Sequence, residues 1–180
     1  DMAAALLGKR AALFVPSGTM GNQLAIRAHT QPGQEVIVES KAHIVRYEQG
    51  AAGALAGVQL HWVVGERGIM TAEQVEAAIR PKDPYSIPTG LICIENTHNS
   101  GGGTIYSLST IEKIRAIATK HGIPMHLDGA RLFNAVAATT LPAATYAQHF
   151  ETVSFCLSKG LGAPAGSLLV SSDTQLMERA

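Results

Sequence analysis

The sequence is poor in cysteine, in aromatic residues and in surplus charge of either sign, and two of these shortages remove a class of answer. Two cysteines occur in 180 residues, Cys93 and Cys156, and both fall in runs that read as buried strands. A disulfide-stapled scaffold is excluded, and two reduced thiols in a cytoplasmic protein are expected. Basic and acidic residues balance at 14 each, so no general affinity for nucleic acid or an anionic membrane surface is expected. No apolar run approaches the ~18 residues of a membrane span, and no signal-peptide pattern is visible. Internal repeats and low-complexity linkers are also missing. The first residue is not methionine, and both ends, Met2–Leu7 and Asp173–Ala180, read as helical. A piece of a longer protein is expected, with residues 1–180 forming one domain.

What is present is a 46% hydrophobic chain in which short apolar runs alternate with helical patterns. That rhythm predicts an α/β domain, three-layered, with a mostly parallel sheet. Strands are predicted at Ala11–Val15, Glu35–Glu39, Val58–Val64, Leu91–Glu95, Pro124–Leu127, Thr152–Leu157 and Ser167–Val170. The last is a candidate for antiparallel pairing, because the link from Lys159 is too short for a helical crossover. Helices are predicted at Met20–His29 and His43–Gln49. Two capping boxes, Thr71 with Gln74 and Ser109 with Glu112, predict helices running to Arg80 and to Lys120. Another helix is predicted to start at Asp128-Gly129-Ala130-Arg131. The Gly/Ala-rich piece Gly50–Gly57 suits close packing of backbone on backbone, and Pro81–Pro88 reads as a loop.

Three strand ends carry chemistry, and in open α/β sheets ligands bind beyond the carboxyl ends of the strands. Ser17-Gly18-Thr19 turns from strand into helix, so its amides and hydroxyls suit either a phosphate or a routine helix cap. It has no Walker lysine and does not match G-x-G-x-x-G. Asp128 ends the apolar run at His126-Leu127, either as a cap, as a partner of Arg131, or facing a buried cation such as a pyridinium nitrogen. Lys159 follows Ser154-Phe155-Cys156-Leu157-Ser158. Burial there would favour its free amine and Schiff-base chemistry; the alternative is a lysine that snorkels to solvent. A phosphate cradle, a carboxylate and an amine, each at a strand end, match the three anchors that pyridoxal phosphate needs.

The segments Ala11-Ala-Leu-Phe-Val-Pro-Ser-Gly-Thr-Met-Gly-Asn22, Ile94-Glu-Asn-Thr-His-Asn99, His126-Leu-Asp-Gly-Ala-Arg-Leu-Phe-Asn-Ala135 and Cys156-Leu-Ser-Lys-Gly-Leu-Gly-Ala-Pro164 resemble the low-specificity L-threonine aldolases. These belong to the aspartate-aminotransferase-like, fold type I pyridoxal-phosphate enzymes, and the resemblance spans essentially the whole chain. It implies pyridoxal 5'-phosphate as cofactor and no metal. Lys159 matches the lysine that bonds to the cofactor, and Asp128 the carboxylate facing its ring nitrogen. Ser17, Gly18, Thr19 and Ser158 match the cofactor-binding turns, and His43 the imidazole stacked on the ring with a part in proton transfer. Arg131 matches an arginine for the substrate carboxylate. Where many members carry a substrate-contacting histidine, this chain offers Tyr85; His98 and Asn96 are further candidates.

The resemblance implies retro-aldol cleavage of L-threonine or L-allo-threonine to glycine and an aldehyde, in a homodimer or homotetramer. A β-eliminating lyase of the same superfamily and an inactive cofactor-binding piece are the alternatives. The family's amino-terminal Asp-Leu-Arg-Ser-Asp pattern, the glycine-rich segment downstream of Lys159 and the small carboxy-terminal domain with a second carboxylate-binding arginine are not in this sequence.

Overall fold

The computed structural model describes residues 2–81 and 83–180; Lys82, inside the loop expected over Pro81–Pro88, lies outside them. In chain order the first elements are α1 (Met2–Leu6), β1 (Ala11–Val15), α2 (Gly18–His29), β2 (Glu35–Glu39), α3 (His43–Arg46), α4 (Ala51–Ala56) and β3 (Gln59–Val63). They are followed by α5 (Ala72–Ala78), β4 (Thr89–Glu95), α6 (Leu108–His121), β5 (Met125–Asp128) and α7 (Leu132–Thr139). The chain then continues through α8 (Ala143–Ala147), β6 (Thr152–Cys156), β7 (Ser167–Ser171) and α9 (Thr174–Arg179).

Among the described residues these strands form one seven-stranded sheet in the order β1-β7-β6-β5-β4-β2-β3. Pairing is parallel from β3 through β6, and β7 runs antiparallel to both β6 and β1. The short return from β6 does produce a reversed strand. Because β7 is wedged between β1 and β6, the first strand also pairs antiparallel, which the sequence pattern did not reveal. Glu95 pairs with Asp128, and Asp128 with Ser154. The carboxyl ends of β4 and β5 are therefore level, and β6 runs two residues further, to Cys156.

The interior strands β2, β5 and β6 are buried along their whole length, and β4 and β7 at all but one residue each, which is why they read as apolar runs rather than alternating ones. The edge strands β1 and β3 instead leave Phe14 and Trp62 exposed. Helices cover both faces. On one, Val75, Ile111, Ile114, Leu132 and Tyr146 pack with Ile37, Ile92, Ile94, Leu127, Val153 and Phe155. On the other, Ile26, Ala52 and Ala56 pack with Val36, Val38, Leu91 and Cys93. Both cysteines are buried and unpaired. Among the described residues no helix is long and apolar enough to cross a membrane.

Several boundaries differ from expectation for local reasons. Gly50–Gly57 holds a short helix, α4, closed at each end by a left-handed glycine, Gly50 at φ 73° and Gly57 at φ 68°; any other residue would be strained there. Arg131 does not lie inside a helix but precedes α7 in a non-helical conformation. Thr71 and Gln74 do form a reciprocal capping box. The expected box at Ser109 and Glu112 is absent, because Ser107 already accepts from the Thr110 N–H at 3.1 Å and starts α6 two residues earlier. Ser107→Ala should therefore lower the unfolding free energy by ~0.5–2 kcal/mol, the usual worth of a serine cap. Ser109→Ala should cost less, and urea unfolding of both variants in the full-length protein measures the difference.

Candidate active site

The strand pleat decides which side chains meet α2. Successive strand residues point to opposite faces, so Leu127 and Val153 enter one core while His126, Asp128, Thr152 and Ser154 face the helix. Gly21 lets α2 come close: a Cβ there would sit 3.3 Å from that of Ser154. Asn22 then lands among four polar groups and satisfies all of them. Its amide nitrogen donates to Glu48 Oε1 at 2.9 Å and to Asp128 Oδ2 at 2.8 Å. Its carbonyl oxygen accepts from Ser154 Oγ at 2.7 Å and from His126 Nε2 at 3.1 Å. Beyond it, His126 Nδ1 lies 2.9 Å from Thr152 Oγ1, which lies 3.0 Å from His29 Nε2.

One assignment of protons completes this row: His29 donates to Thr152, Thr152 to His126, and His126 to Asn22. It needs a neutral His126. Burial, with a smaller contribution from His29, pushes that imidazole down to about 3. The Asn22 amide is thereby locked with both N–H bonds aimed at carboxylates.

Asp128 ends β5, and its Oδ1 also accepts from the Ala130 N–H at 3.1 Å. Burial, then the nearby Glu95 carboxylate, push it up to about 6; the Asn22 bond opposes the rise and Glu48 adds to it. His43 opens α3 and is tied down twice. Its backbone N–H donates to Glu95 Oε2 at 2.6 Å, and its ring Nδ1 lies 2.9 Å from Glu48 Oε1. Glu48 also accepts from Gln23 Nε2 at 2.6 Å. The Glu48 bond raises the His43 pKa above its ordinary value, burial works against it, and Asp128 adds to the rise.

These groups open into one cleft at the carboxyl ends of the strands. Gly18, Asn22, His43, Glu95, Asn99, Asp128, Ala130, Arg131 and Lys159 line its inner part. Ser17, Gly18, Thr19, His43, Cys156, Ser158 and Lys159 line the adjoining outer part. Ser17 is the N-cap of α2, its hydroxyl accepting from the Met20 N–H at 3.2 Å. The amides that follow it face no helical acceptor, as at any helix start. Gly18 is required by space, since a Cβ would meet Cys156 Sγ at 2.9 Å. Lys159 lies past the end of β6 and is half-buried. The deep burial expected of it is not seen, because Ser158 and Gly160 on either side are exposed.

Arg131 lines the cleft, held by a 3.0 Å bond from its Nη1 to Asn99 Oδ1; the Asn99 N–H in turn donates to Glu95 Oε1 at 2.8 Å. His98 stays outside. It is wholly buried, accepts from the Gly101 N–H, and places Nε2 3.0 Å from Glu39 Oε2, within ion-pair reach but off the hydrogen-bond direction. Asn96 is also buried, its carbonyl accepting from the Tyr106 N–H. Tyr85 is almost fully exposed on the loop before β4. That loop stands at the amino edge of the parallel strands, across the sheet from Asp128, so this chain does not bring Tyr85 to its own cleft. His43, Glu48 and Asp128 offer ligand atoms within 4.8 Å of one another, as a metal site would. Asn22 already aims a donor at each carboxylate, which suits a donor-lined anchor better than a metal.

A family model described as β-eliminating lyase matches residues 1–180. The chain belongs to that family. The low-specificity L-threonine aldolase 1 of Arabidopsis thaliana is 47% identical over 175 residues, covering 95% of this chain and 49% of that protein. A structure of Leishmania major threonine aldolase superimposes with a TM-score of 0.86 at 27% identity, over 96% of this chain and 51% of that one. A putative aromatic amino acid β-eliminating lyase/threonine aldolase from Exiguobacterium gives 0.87 at 27% identity, over 99% and 48%. The chain spans about half the length of the curated relatives it matches. The expected fold type I architecture is borne out by the sheet and these likenesses.

Sequence reasoning missed Asn22, Gln23, Glu48 and His126. The signal was available in the pleat: a polar row on β5 and β6 requires polar partners on whatever helix covers it. The Asp128 shift gives a test. Burial pushes the carboxyl from the ordinary 3.8 up to about 6, so the folded state holds the proton more tightly between those values. Burying the carboxylate then costs stability above about pH 6, and the cost vanishes as the pH falls toward 4. The unfolding free energy of the wild type minus that of Asp128→Asn should fall as pH rises from about 4 to about 6, and then level off. Urea melts across that range measure it.

Proposed function

We propose that the full-length protein is a pyridoxal-phosphate-dependent aldolase cleaving L-threonine or L-allo-threonine to glycine and acetaldehyde, and that residues 1–180 are its cofactor-binding large domain. The observation that carries this reading is the single cleft lined by Lys159, His43, Arg131 and the buried, Asn22-anchored Asp128. The residues present fit the cofactor. Asp128 sits among negative neighbours that make its own charge costly, and a protonated pyridine nitrogen is the cationic donor that relieves this cost. The start of α2 offers free amides and the Ser17 and Thr19 hydroxyls to a phosphate. Among the described residues that line this turn, Lys159 is the cation, so a second subunit is expected to complete the phosphate site in a homodimer or larger homo-oligomer.

Bound there, pyridoxal phosphate supplies the sink for the electron pair released when the substrate Cα–Cβ bond breaks. Each residue of this chain then has a task. Lys159 would be the amine that holds the cofactor, on a turn whose neighbours Ser158 and Gly160 are exposed. Asp128 keeps a proton on the ring nitrogen. His43, which lines both parts of the cleft, would accept the proton of the β-hydroxyl. Arg131, oriented by Asn99, would take the substrate carboxylate and so fix the orientation of the bonds at Cα. Neither Tyr85 nor His98 is given a part within this subunit.

The test is product analysis on the full-length protein. Incubation with L-threonine should give glycine and acetaldehyde in equal amounts; ammonia with 2-oxobutanoate would mean elimination instead. Lys159→Ala should reduce cleavage to background. His43→Ala should lower kcat/KM by ~100-fold or more, the usual contribution of a positioned base.

A further inference from the structure

We propose that Glu48 is a positioning residue for the base: it holds the Nδ1–H of His43, fixes the imidazole in one tautomer and leaves Nε2 as the proton acceptor facing the cleft. The inference rests on the aldolase reading only for what Nε2 does; the tautomer itself follows from geometry.

Glu48 is unusual for a carboxylate. It follows α3 in a turn, yet its side chain is fully buried. Three donors meet it: Asn22 Nδ2 at 2.9 Å, Gln23 Nε2 at 2.6 Å and His43 Nδ1 at 2.9 Å. The Asn22 donor is not free to be an acceptor instead, because its carbonyl is occupied by Ser154 and His126. With two amides donating to it, Glu48 acts as an acceptor, and the hydrogen between it and His43 belongs to Nδ1. A neutral imidazole with Nδ1–H has its lone pair on Nε2. A buried acceptor behind the donor nitrogen also makes the other nitrogen more basic, the arrangement seen where a carboxylate backs a metal-binding or catalytic histidine.

The surroundings of the ring bear on its titration from every side. Asp128 of β5 adds to the effect of Glu48, Lys159 after β6 acts against it, and burial acts against it too. Glu95 of β4 accepts the His43 backbone N–H and Tyr47 packs its ring 5.4 Å away, so both hold the residue without touching Nδ1. Glu48 is thus the group in direct bond with the imidazole, and the same carboxylate is linked through Asn22 to Asp128. Asp128 and the carboxylate that holds His43 thus share a single amide.

The experiment is nitrogen NMR of the histidine rings in full-length, ¹⁵N-histidine-labelled protein, assigned with His43→Gln. The wild type should show His43 as the Nδ1–H tautomer, with a titration midpoint above the ordinary 6.5. In Glu48→Gln the midpoint should fall by about 1 pH unit or more, as expected when an adjacent opposite charge is removed. In the active protein, the acid limb of kcat/KM should move down by the same amount. Glu48→Asp, which keeps the charge, should retain a raised midpoint. An Nε2–H tautomer in the wild type would overturn the proposal without any variant, as would an unchanged midpoint in Glu48→Gln. A protein that shows the predicted tautomer but does not cleave threonine would leave Glu48 in place and remove the aldolase reading instead.

Discussion

Everything in this domain turns on one side-chain amide. Asn22 is buried, and each of its hydrogen-bonding positions is matched: two carboxylates in front, a serine and a histidine behind. An amide in that position cannot be replaced by a hydrocarbon without stranding Asp128 Oδ2, His126 Nε2 and Ser154 Oγ, each costing ~1–3 kcal/mol when left unpaired. Nor can it flip, because its oxygen would then face the Glu48 and Asp128 carboxylates. The site is therefore organised from below, by a polar row between helix and sheet, before any ligand is considered. Networks of this kind rigidify when every member is satisfied, and rigidity is what a site needs to hold charge in a fixed place.

The topology makes this possible by bringing β4, β5 and β6 into register near their carboxyl ends. Glu95, Asp128 and Ser154 lie side by side, so carboxylates from β4 and β5 crowd together where the α2 start and the Lys159 turn also converge. Crowding raises the Asp128 pKa and, with Glu48, that of His43. For Asp128 this is a cost, and in the proposed enzyme it would become a means of holding a cationic ring nitrogen.

Much of this was legible from the sequence. The strands were visible because the interior ones are buried on both faces and read as unbroken apolar runs. Ser17, Asp128 and Lys159 stood out because each ends such a run. Glu48 and Asn22 did not, for opposite reasons. Asn22 looks like the polar side of an amphipathic helix, and its burial follows from the pleat of strands more than a hundred residues away. Glu48 sits in a tight turn among Tyr47, Gln49 and Gly50, where a charged residue is unremarkable. Tyr85 shows the converse case. Aligning through Arg80-Pro81 and Leu91 locates it in the chain, but a loop preceding a parallel strand lies at the edge opposite this chain's own cleft. The α6 start was misplaced for a simpler reason, since Ser107 and Ser109 are chemically equivalent and only the backbone path selects between them.

The most direct test of the central claim, that this cleft is a cofactor site anchored on Lys159, is chemical. Full-length protein loaded with pyridoxal phosphate is reduced with borohydride, which fixes the cofactor to its lysine, and is then digested and mapped by mass spectrometry. The account predicts the modified lysine in the peptide containing Leu157-Ser158-Lys159-Gly160, and nowhere else at stoichiometric level. Stoichiometric modification at a different lysine, or none under saturating cofactor, would contradict it.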